Sequence, residues 1–255
     1  MVEDKFSKWA TRFSGCDGGD IGTYNNKSIW FCGIEWGGGH PADENELSNK
    51  IFSANVDFPD DGYSKWNENL LYRFNWQAMK LLSAINGGAI ESYKKFAEIN
   101  QPFTKGGKGY FKMNLYPLAF KSTSHALWGS GFAKATGLAN KQEYISWIRL
   151  HRFPFLKSLA DIHAPKLIAC VGKSYITDFS IAFVGQGLIF NCEKIDNHEL
   201  NWVVNNNGTL VVVIPFMVNP NGLTRNASIQ KFGDRIREIL LSDGHHISNV
   251  SSRFT

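Results

Sequence analysis

Four short stretches of this chain are apolar almost throughout: "SIWFCGI" (28–34), "YFKMNLYP" (110–117), "KLIACVG" (166–172) and "TLVVVIPF" (209–216). Runs of this length, bounded by turn residues, predict strands covered on both faces. Between them apolar residues recur at helical spacing in "NENLLYRFNWQAMKLLSAI" (67–85), "KQEYISWIRLHRFPFLKSLADI" (141–162), "SYITDFSIAF" (174–183) and "SIQKFGDRIREILL" (228–241). Pro154 is expected to kink or interrupt the second of these. "GLIFNCEKI" and "ELNWVVNNNG" predict a hairpin ahead of the last strand.

Strands alternating with helices predict an α/β fold, a three-layer α/β/α sandwich around a mainly parallel four-stranded sheet. The 255 residues suit a single domain, 1–255, with its core at about 28–241 and a flexible C-terminal tail over 242–255. Two loops, 37–66 and 117–140, are long for a compact domain; such loops are functional or disordered.

Composition narrows the class. Hydrophobic residues make up 43% and charged residues 20%, which excludes a disordered or fibrous chain. No apolar run reaches membrane-spanning length, and "MVEDKFSKWATRF" lacks a signal-peptide core, so a cytoplasmic protein with no membrane partner is expected. The net charge of +4 permits a polyanionic partner without requiring one. Cys16, Cys32, Cys170 and Cys192 form no C-x-x-C pair, and the seven histidines show no ligand spacing. No metal, cofactor or disulfide is expected, and the chain is expected to be a monomer.

In open parallel sheets ligands bind beyond the carboxyl ends of the strands. Polar and glycine-rich residues gather at those ends: Glu35 after the first strand, Asn114 late in the second, Asn219 after the fourth. A carboxylate such as Glu35 can stabilise positive charge that grows on a substrate. An amide such as Asn114 offers donors and an acceptor to the polar edge of a ligand. Against these stand plainer readings: a solvated turn Glu, an Asn satisfying strand-end backbone, and an Asn-Pro/Asn-Gly turn before a helix. "TKGGKG" (104–109) lacks phosphate-loop spacing and reads as a turn.

Three segments carry a family likeness. "GIEWG" (33–37) looks like a G-x-[DNE]-P-G-type turn, "MNLYP" (113–117) like a strand-end base-reading Asn, and "NPNGLT" (219–224) like an H-P-S-P-L-S-type loop. In this order the chain resembles the uracil-DNA glycosylase superfamily. Trp36 stands for the usual proline, Asn219 for a histidine that many members carry, and Gly222 for the second proline. The close N-terminal cysteine pair of the iron–sulfur members is missing.

The resemblance implies a monofunctional DNA glycosylase that flips out a nucleotide and leaves an abasic site. Glu35 and Asn219 would be catalytic. Gly33, Trp36, Gly37 and Asn114 would bind the base, with acid and amide bracketing it. Asn221, Leu223, Thr224 and Arg225 would meet the DNA, Leu223 as an exposed wedge in the base stack. Trp36 is the first choice for stacking on the base, ahead of Phe58 and Tyr63. Lys121, Lys134 and Lys231 join Arg225 as phosphate candidates. The three glycines after Trp36 would widen the pocket enough for a bulky modified pyrimidine, such as a modified cytosine of phage DNA, in a phage-defence role. Two alternatives remain: a binder or regulator that lost the chemistry, and a glycosidase of free nucleosides or nucleotides.

Overall fold

The computed structural model describes residues 1–40 and 43–242. Each of the four apolar runs forms a strand buried along its whole length: β2 (Ile29–Gly33), β3 (Tyr110–Asn114), β4 (Leu167–Val171) and β7 (Leu210–Ile214). They pair in parallel in the order β3-β2-β4-β7.

The sheet has seven strands, which corrects the expected four. The predicted hairpin forms as β5 (Asn191–Ile195) and β6 (His198–Val204), and β6 extends the sheet antiparallel to β7. At the other edge β1 (Cys16–Gly19) runs antiparallel to β3. Its sequence, "CDGG", carries no apolar pattern, so nothing local announces it. It exists because β3 leaves an unpaired edge for it to satisfy.

Side chains alternate between faces along each strand, and this sorts the core into two layers. Trp30, Cys32, Phe111, Met113, Ile168 and Cys170 face one cluster. It is covered by helices Asp4–Ala10, Ser130–Thr136, Lys141–His151 and Phe153–His163. Ile29, Phe31, Leu167, Ala169, Leu210 and Val212 face the other, under helices Arg73–Ile85 and Asn226–Ser242. Burying each such large apolar side chain contributes about 1.5–3 kcal/mol.

Pro154 acts as expected. The predicted 141–162 helix is two, broken at Arg152, with the proline in the first turn of the second, where its missing N–H is harmless. The 174–183 segment is three short turns rather than one helix. The long loops hold structure of their own: a two-part helical segment over Glu44–Ile51 in the first, the Ser130–Thr136 helix in the second. Leu47 and Phe52 anchor the first loop in the core. The tail expected to be flexible falls, beyond Ser242, outside the described residues. No described helix is long and apolar enough to cross a membrane.

Candidate active site

The first apolar strand, β2, has the second, β3, on one side and the third, β4, on the other. The chain therefore reverses its winding at β2, and its carboxyl end is a topological switch point. Gly33, Ile34, Glu35 and Trp36 occupy that end. Tyr116 donates its N–H to the Ile34 carbonyl and Phe120 donates to that of Trp36, so the segment after β3 holds this turn in place.

Glu35 is not open at the rim. Its carboxyl Oε2 lies 3.3 Å from Lys141 Nζ, and the side chains are only 8% and 3% exposed. Lys141 Nζ also sits 3.7 Å from the centre of the Phe120 ring. Oε1 is buried with no hydrogen-bond partner. Burial pushes the Glu35 carboxyl up to about 7, with Lys141 pulling it partly back. Burial likewise lowers the Lys141 ammonium, opposed by Glu35. Tyr144 and Tyr175 feel the same carboxylate. A buried acid near neutral pH with one free oxygen is suited to hold or move a proton.

Trp36 goes the other way, past the bend at Ile34 and Glu35. Its indole N–H donates to Asp17 Oδ1. Asp17 in turn pairs with Lys112, a largely buried lysine in β3. Trp36 and Asp17, with Cys16, Asp60, Gly62 and Tyr63, line an open cleft of about 240 Å³. Asn75 Nδ2 donates to the Tyr63 hydroxyl at 3.0 Å. His40 meets the Trp36 ring edge-on, and its Nε2 is buried without a partner.

Asn114 pairs in register with Gly33. A side chain at Gly33 would put its Cβ 2.5 Å from Asn114 Oδ1, so the glycine makes room for the amide. Asn114 Nδ2 donates to the Gly15 carbonyl at 3.3 Å. Asn114 shares its strand face with Lys112, whose Nζ lies 5.6 Å from the Phe74 ring in the layer of helix Arg73–Ile85. Glu35 binds Lys141, in the opposite layer. Acid and amide are therefore anchored in opposite layers: Gly33 still shares the Asn114 face, and the chain bends at Ile34 and Glu35 instead of continuing the strand's alternation, which leaves Glu35 on the side of Ile34 and Lys141.

The loop after β7 departs further from expectation. Leu223 is fully buried against Met217 and its neighbours, so it is no exposed wedge. Its N–H donates to the Phe216 carbonyl, which folds the turn inward. Asn219 is exposed, with Oδ1 2.6 Å from where a Gly222 Cβ would stand, and Gly222 donates its N–H to the Asn219 carbonyl. Among the described residues no hydrogen bond or ion pair joins Asn219 to Glu35. Asn221 and Arg225 are exposed and Thr224 is half-buried.

Gly37 and Gly38 face open space, so neither is needed for a close approach. Phe58 is exposed, and of the two loop aromatics only Tyr63 reaches the cleft. Lys134 pairs with Glu44 and Lys231 with Asp196. Lys121 and Arg225 remain without an ionic partner among the described residues.

Asp17, Lys112 and Lys141 were invisible in the sequence reading. Asp17 lies in the unpredicted β1, at an irregularity between Cys16 and Gly18. Lys112 interrupts the apolar run "YFKMN", which was the one available signal. Arg152 was also missed. It is fully buried and donates to the carbonyls of Ala10, Arg12, Ser14, Leu115 and Asn114 and to Ser14 Oγ. It thereby fixes the Gly15 backbone that holds Asn114.

No family model and no curated protein matches this chain.

Proposed function

We propose that this protein hydrolyses the N-glycosidic bond of a pyrimidine nucleotide in DNA, with the base held beside Trp36 and Tyr63 and Glu35 serving the sugar side. The observation that carries the reading is Glu35 itself: a buried carboxyl raised to about 7, with one oxygen unpartnered, at the switch point of the sheet and one residue from the indole that walls the cleft. A substrate lying across the end of β2 spans both layers, with its base toward Trp36 and its sugar toward Glu35. The ionised carboxyl then offsets the positive charge that grows on C1′ and orients a water. Contact with duplex falls to the exposed Asn221 and Arg225, since Leu223 is enclosed.

The test is to incubate the protein with duplexes bearing uracil, hypoxanthine or modified cytosines, and with free nucleosides, and to reveal abasic sites with alkali. Abasic product that falls about a hundred- to a thousandfold in Glu35→Gln supports the reading. No base released from any substrate overturns it.

A binding protein without chemistry is the second reading. The ion pair that engages Glu35 favours it, because a carboxylate held by Lys141 is less free to meet a sugar. Nucleic-acid affinity that survives Glu35→Gln, in a wild type that releases no base, distinguishes it.

A further inference from the structure

The cleft beside Trp36 carries a chemical preference. Its volume, about 240 Å³, is below the roughly 300–1,000 Å³ of sites for drug-sized ligands, which suits one heterocycle rather than a whole nucleotide. Trp36 and Tyr63 give it aromatic walls. Asp17 and Asp60 line it, with Asp61 beside them; Lys112 pairs with Asp17 and Lys105 with Asp61, where it also feels Asp60, so three carboxylates face two lysines. A phosphate is therefore repelled, while a group rich in N–H donors is favoured.

The amide next to the cleft agrees independently. Gly15, which directly precedes the Cys16 and Asp17 that line the cleft, engages Asn114 Nδ2 through its carbonyl. The amide's orientation is set by that bond, and no donor among the described residues reaches Oδ1, which stands over Gly33. What Asn114 has left to offer is an acceptor. Tyr63 accepts from Asn75, so its own hydroxyl hydrogen remains available to a carbonyl.

We propose that this site selects a base presenting an exocyclic amine beside a ring carbonyl, as an aminopyrimidine does, over a dicarbonyl pyrimidine. The proposal rests on the reading that the cleft holds a nucleobase. A dicarbonyl ring would set its second carbonyl against the Asp17 carboxylate, leaving acceptor facing acceptor.

The experiment is equilibrium binding of cytidine and uridine to the full chain by calorimetry, which needs no turnover. Cytidine is expected to bind at least about tenfold more tightly than uridine. Asp17→Asn is expected to erase that ratio. Because Asp17→Asn leaves Lys112 without its partner and risks unfolding, Asp60→Asn serves as the second variant: Asp60 is exposed, asparagine keeps an oxygen for the Gly62 N–H, and loss of the carboxylate charge is expected to reduce the preference in a folded protein. Equal affinities, or a preference for uridine, overturn the amine selection and leave the base-site reading standing. No binding by either nucleoside overturns both.

Discussion

Gly33 and Asn114 are register partners in the parallel pair β2–β3, and the amide oxygen of Asn114 lies 2.5 Å from the point where a side chain at Gly33 would begin. The glycine is there for its missing Cβ. Gly33→Ala is expected to displace the amide and destabilise the fold by about 1–3 kcal/mol through overpacking. Asn114→Ala removes the obstruction, so the penalty of Gly33→Ala should shrink sharply in that background. Denaturant titration of the four-member cycle measures the coupling. Additive effects would mean the two side chains do not compete for one space.

The Glu35–Lys141 pair predicts a pH dependence with a definite sign. Burial raises the folded-state value of Glu35 from 4.5 to about 7, so the folded protein binds that proton more tightly than the unfolded chain. Its contribution to stability is greatest below pH 4.5 and is lost as pH rises through 7. Activity runs opposite, because the ionised carboxyl is the working form, and should rise through an inflection near pH 7. Lys141→Met removes the cation that lowers Glu35, so the inflection should move upward. A rate–pH profile unchanged in Lys141→Met would contradict the pairing as a tuning device.

Leu223 provides a contrast between packing and recognition. It is fully buried, so Leu223→Ala is expected to destabilise by about 2–5 kcal/mol. Below the melting transition it should lower processing of duplex and of free nucleoside alike. Unchanged stability with selective loss on duplex would restore a wedge.

Arg152 holds the Ala10–Ser14 segment and the end of β3 through its guanidinium. Arg152→Met leaves several buried acceptors without donors, each costing about 1–3 kcal/mol. A loss of more than about 3 kcal/mol is expected by chemical denaturation, with nucleoside affinity reduced because Gly15 no longer fixes Asn114. Wild-type stability in that variant would show the carbonyls to be satisfied otherwise.

The parallel core was legible in the chain because β2, β3, β4 and β7 are buried on both faces and leave uninterrupted apolar runs. β1 left no such trace: it has four residues, two of them glycine, and no apolar run. The turn at 33–36 was legible as a place but not as a geometry. Local pattern put Glu35 and Trp36 together; the bend at Ile34 and Glu35 broke the strand's alternation and sent one to Lys141 and the other to Asp17. Leu223 misled because a single leucine among polar residues looks exposed, whereas the turn closes over it. Asp17 and Lys112 meet across 95 positions of sequence, and only the β1–β3 pairing brings them together.

The most direct measurement is chromatographic detection of free base released from modified-pyrimidine duplexes by wild type and by Glu35→Gln at pH 8, each checked for folding. Wild type is expected to release base, with a drop of about two to three orders of magnitude in the variant. Equal release by both proteins, or none by wild type on any substrate, would contradict it.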